Sequence, residues 1–111
     1  MLSRTISGLA AVFSVCALAF GETARAQDPA IVAGRAIAER ACAQCHVVGT
    51  DIQSGPVPAG IPSFAAIASR TGQTPEAIAG RIVLPHPPMP DASLTRIEIA
   101  NVTAYIMSLR R

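Results

Sequence analysis

Cys42-Ala43-Gln44-Cys45-His46 is the stretch on which the reading of this chain turns. Two cysteines three positions apart lie on one side of a helical turn, so both thiols can reach the same neighbour, and the residue after the second points across it. This is the spacing of c-type haem attachment. The sulfurs form thioethers with the vinyl groups on one porphyrin edge, and the imidazole of His46 offers Nε2 to the iron as proximal ligand. The Nδ1–H of His46 then needs an acceptor to fix the tautomer and the ring orientation. The expected cofactor is one covalently bound haem c, held by Cys42, Cys45 and His46.

Other uses of a Cys-x-x-Cys pair fit less well. A thiol-disulfide centre belongs in a βαβ unit after a strand, and the flanks here are helical and alanine-rich. A closed zinc site needs four ligands, and beyond the motif the chain has only His86 as a further nitrogen donor.

Residues upstream of the motif supply independent support. Arg4 precedes an apolar run over residues 9–20, followed by a polar stretch over 21–25 and the small-residue pair Ala24 and Ala26. That is the layout of a secretory signal peptide cleaved after Ala26, which gives a signal over 1–26 and one domain over 27–111. The run is well short of the roughly 20 residues needed to span a bilayer, so no membrane span is expected in the mature form. Cys16 lies inside the run and leaves with the signal. Haem is attached covalently only outside the cytoplasm, so the motif and the export signal reinforce each other, and the expected location is the periplasm.

The whole chain is 111 residues long, and residues 27–111 contain seven arginines, six acidic residues and no lysine. A near-neutral domain with no basic run lacks the electrostatic footprint of nucleic-acid binding. A domain this small buries only about 60–65% of its unfolded surface, so a covalent or metal-based staple is expected of it.

The remaining signals are helical. Asp28-Pro29 provides a cap and a first-turn proline, and Ile31, Ala38 and Ala41 recur at helical spacing, which predicts a helix over 29–43 carrying the motif at its end. Residues 49–62 read as a loop around the haem edge. Short helices are predicted over 63–69, with Phe64 and Ile67 apolar, and over 75–83, opened by Thr74-Pro75-Glu76. The last helix starts at the capping box Thr95-Arg96-Ile97-Glu98, with Leu94 and Ile99 as hydrophobic staple and Ile99, Val102, Ile106 and Leu109 as its apolar stripe. Arg110 and Arg111 follow, where positive charge suits the helix dipole. The fold class is all-α, with three to five helices.

Pro85-His86-Pro87-Pro88-Met89-Pro90 holds four of the nine prolines in six residues. It cannot be helix or central strand and forms a stiff strap suited to holding one side chain at a fixed distance from a metal. Met89 is the expected distal ligand. Its soft, neutral thioether binds haem iron and favours the ferrous state. Met107, by contrast, lies in the core-forming helix. His86 as sixth ligand, or an open sixth position, are the alternatives.

With the motif near the start of the mature segment and Met89 near its end, the chain resembles class I c-type cytochromes of the small bacterial periplasmic type over essentially all of residues 27–111. The resemblance implies the cytochrome c fold around one haem. It further implies that Gly34, eight residues before Cys42, lets the first helix approach Tyr105 of the last, with Val102 and Ile106 beside it. It also implies that the Pro62 carbonyl, in Gly60-Ile61-Pro62-Ser63-Phe64, accepts the hydrogen bond of His46. Unlike mitochondrial-type relatives, the chain has no tryptophan and no lysine ring. Arg70 and Arg81 are either propionate partners or solvated surface residues.

The function implied is electron transfer rather than catalysis, between a redox-protein donor and acceptor, by a monomer or by a subunit of a dehydrogenase complex. A fixed electron-outlet subunit of a periplasmic dehydrogenase, and a haem sensor or enzyme with an open sixth site, are the alternative readings.

Overall fold

The computed structural model of the chain describes residues 27–50, 60–84 and 86–111. The segment read as a signal peptide, most of the loop read over 49–62, and Pro85 of the strap lie outside the described residues. The described residues form four helices, in order α1 (Pro29–Ala41), α2 (Phe64–Ala68), α3 (Pro75–Val83) and α4 (Arg96–Ser108). Among the described residues there is no strand, only an isolated antiparallel bridge between His86 and Met89. None of the described helices is long and apolar enough to cross a membrane.

Each helix starts where a side chain can take up an orphan backbone N–H. Asp28 accepts from Ala30 at 2.9 Å, Ser63 from Ala66 at 3.1 Å and Thr74 from Ala77 at 3.2 Å. At α4 the box is complete: Thr95 Oγ1 accepts from the Glu98 N–H at 3.2 Å, and Glu98 Oε2 accepts from the Thr95 N–H at 2.9 Å. Gly72 turns the chain between α2 and α3 with φ at +71°, a conformation open to glycine without strain.

The main packing contact joins the first helix to the last. Gly34 makes this possible, because a Cβ built there would lie 2.8 Å from the Tyr105 Cβ and closer still to the Asn101 carbonyl. With only a hydrogen in the way, the backbones meet, and Ile37, Ala38, Val102, Tyr105 and Ile106 close into one core with Phe64, Ala68 and Ile78. On α1 the buried apolar residues include Ile37, whereas Ala41, read from spacing as part of the stripe, is exposed. Arg40 spans to α4, where its Nη2 meets Glu98 Oε1 at 2.9 Å.

Arg110, read from sequence as suiting the helix dipole, also makes two specific contacts. Its Nε donates to the Ala68 carbonyl at 3.0 Å and its Nη2 to the Gln73 carbonyl at 2.5 Å, stitching the end of α4 to the corner between α2 and α3.

Candidate functional site

Helix α1 ends by winding into the cysteine motif. The Ala38 carbonyl accepts from both Cys42 at 2.9 Å and Ala43 at 3.0 Å. The Cys42 carbonyl then accepts from Cys45 at 3.1 Å and from His46 at 2.9 Å. This turn puts Cys42, Cys45 and His46 on the lining of one cavity of about 860 Å³, within the roughly 300–1,000 Å³ typical of cofactor sites. Met89, His86 and Pro62 line the same cavity, with Ile78, Ile82, Val102 and Ile106 among its apolar residues. The residues that sequence reasoning singled out are thus gathered around a single space.

His46 is held from several sides. Its Nδ1–H donates to the Pro62 carbonyl at 2.8 Å, which makes Nε2 the basic nitrogen. Its ring lies 5.4 Å from that of Phe64, tilted by 50°. Phe64 in turn meets Tyr105 edge-on at 6.4 Å, and the buried Tyr105 hydroxyl donates to the Val48 carbonyl at 2.7 Å. The Phe64 N–H donates to the Val47 carbonyl at 3.0 Å, so the segment after the motif is tied to the start of α2.

The environment of Cys42 is drier than that of Cys45, which is exposed. Burial pushes the Cys42 thiol up, against a smaller opposing pull from Arg40. Arg70 and Arg81 are both exposed and both line the cavity.

These residues fit haem c. An apolar lining suits the macrocycle, paired thiols suit its vinyl edge, an oriented imidazole and a thioether suit its iron, and cations on the lining suit its carboxylates. Among the described residues no three His, Cys, Asp or Glu side chains cluster to hold a metal ion.

Sequence reasoning did not anticipate the ring of Phe64 against His46, the bond from Tyr105 to Val48 or the double contact of Arg110. Only the first left a local trace, since Phe64 follows Pro62 by two residues.

The cytochrome c family model matches residues 31–110. The chain is 43% identical over 79 residues to cytochrome c-552 of Bradyrhizobium diazoefficiens, a match covering 69% of this chain and 72% of the relative. No solved structure matches the chain. The chain belongs to the cytochrome c family. It is a class I c-type cytochrome with an all-α cytochrome c fold and covalent haem c as cofactor, and its role is electron transfer between redox partners rather than catalysis.

Proposed function

We propose that this chain is an exported monohaem electron carrier of the periplasm, with Cys42 and Cys45 as the thioether residues and His46 Nε2 and Met89 Sδ as the axial ligands. Haem, when bound, supplies a one-electron couple between ferric and ferrous iron. The observation that carries the reading is the placement of Met89 on the same cavity as the cysteine motif, whose histidine already has Nδ1–H committed to the Pro62 carbonyl.

The protein's own groups do the rest. The Pro62 carbonyl holds the imidazole in the tautomer that leaves Nε2 basic, and Phe64 limits rotation of the ring. With Met89 as second ligand a bound haem would have no coordination site left for a substrate, so the chemistry it would supply is electron transfer, with Cys45 the exposed cysteine of the motif. Ligands that do not change between oxidation states keep reorganisation small. Export follows from residues 1–26 having the layout of a cleaved signal, and it places the partners, a redox-protein donor and acceptor, in the same compartment.

The test is to produce the chain in a host with haem-attachment machinery. The mature protein should begin at Gln27, and its pigment should stay with the polypeptide in acidified organic solvent. The oxidised protein should show a methionine–iron charge-transfer band that vanishes in Met89→Ala and survives in His86→Ala. Carbon monoxide should leave the ferrous spectrum of the unmodified protein unchanged. Extractable pigment would refute the thioethers, and a band that depends on His86 would refute the assignment of Met89.

A further inference from the structure

We infer that His86 is a reserve axial ligand, set beside Met89 so that its imidazole takes the sixth position when the sulfur of Met89 no longer binds. The inference rests on the reading of Met89 as the distal ligand. Its basis is the geometry of the strap. The Met89 N–H donates to the His86 carbonyl at 3.0 Å, closing a four-residue turn, and the two residues pair as an antiparallel bridge. Residues opposed in such a bridge have their side chains on one face, with Cβ atoms about 4.5–5.5 Å apart. Both side chains accordingly line the same cavity, and both residues are partly buried.

The second observation is the tautomer. The Nδ1–H of His86 donates to the Leu84 carbonyl at 2.9 Å, leaving Nε2 as its basic nitrogen. His46 is arranged in the same way on the Pro62 carbonyl at 2.8 Å. A backbone carbonyl on Nδ1 is the support that orients a metal-binding imidazole through Nε2. The two histidines of the chain therefore carry the same ligand-like arrangement at one cavity.

The circumstance that brings the reserve into use is oxidation of Met89. A peroxide transfers one oxygen atom to Sδ and is itself reduced to water, and the soft thioether becomes a polar sulfoxide. With His86 absent, loss of the thioether leaves a coordination position open to small molecules. With His86 present, the position stays closed, and imidazole in place of thioether shifts the couple toward the ferric state.

The holoprotein, its Met89→Ala variant and the Met89→Ala/His86→Ala double variant are compared by optical and electron paramagnetic resonance spectra and by carbon monoxide binding to the reduced form. The single variant should be six-coordinate and low-spin with two nitrogen axial ligands, and slow to bind carbon monoxide. The double variant should be high-spin and bind it at once. Should the substitutions prevent haem attachment, peroxide-treated unmodified protein and peroxide-treated His86→Ala should show the same contrast. High-spin spectra in both members of either pair would overturn the reserve role while leaving Met89 as ligand. A missing methionine–iron band in the unmodified protein would overturn both readings.

Discussion

The His46 side of the cavity and the Met89 side are built by opposite means. His46 sits in a lattice of contacts: a carbonyl on Nδ1, a ring against its face, and behind that ring a tyrosine bonded back to the loop after the motif. Met89 sits on a short turn whose own backbone bond is to His86, flanked by prolines and preceded by Val83 and Leu84, which are 60% and 66% exposed. One side is fixed by packing against helices, the other by the stiffness of its covalent chain. The proximal side should therefore yield only with the whole fold, whereas the distal side can let go on its own.

Four substitutions probe that contrast. Phe64→Ala removes a buried ring from behind His46, and truncations of this kind cost about 3–5 kcal/mol. Denaturant unfolding of the holoprotein should show one cooperative loss of that size, and a loss below about 1 kcal/mol would mean that the proximal lattice is not a stability element. Gly34→Ala forces a methyl against the Asn101 backbone. Overpacking costs about 1–3 kcal/mol, offset by up to about 1 kcal/mol of helix propensity. A net loss is expected by thermal melting, and a gain would show that α1 and α4 can separate freely.

Pro90→Ala sharpens the comparison from the other side. Its effect on global unfolding should be at most about 1 kcal/mol, yet the methionine–iron band should disappear at lower denaturant than helical circular dichroism does. Coincident transitions would erase the distinction between the two sides. The smallest effect concerns Glu98, whose carboxyl is held below the ordinary range, first by the Thr95 backbone N–H and then by the Thr95 hydroxyl and Arg40. A lowered folded-state pKa adds stability that is present above the ordinary carboxylate value of about 4.3 and fades as pH falls through the folded one. Glu98→Gln should lower stability slightly at neutral pH and flatten the acid limb of the stability profile, with the variant and the unmodified protein converging at low pH. An unaltered acid limb would assign that limb to other carboxylates.

The parts of the fold legible in the sequence were those written locally. Asp28-Pro29, Thr74-Pro75 and Thr95-Arg96-Ile97-Glu98 mark helix starts by themselves, because a cap satisfies N–H groups only two or three residues away. The haem motif is local in the same sense, and its five consecutive residues, together with the export signal upstream, point to the cofactor. Helix ends were less clear: the first was read to 43 and stops at Ala41, where the chain winds into the motif turn. Gly34 and Tyr105 could be paired only through family resemblance, since nothing in the spacing of either residue points to the other across the chain. The contacts of Arg110 with Ala68 and Gln73, and of Tyr105 with Val48, were invisible because a long polar side chain reaching a backbone carbonyl leaves no periodic trace. The local reading of Arg110 and Arg111, that positive charge suits the helix dipole, does not point to these contacts.

The notch at Gly34 has a consequence for the prosthetic group some distance away. Eight helical residues separate it from Cys42, roughly 12 Å along the axis at 1.5 Å per residue. Because α1 is seated on α4 at a point where only hydrogen fits, the helix can neither slide nor roll there, and its azimuth is set. A rod fixed in azimuth at one end dictates the heading in which its far end releases both sulfurs and the imidazole. A porphyrin held by those groups would thus take its tilt in part from a residue outside the cavity lining.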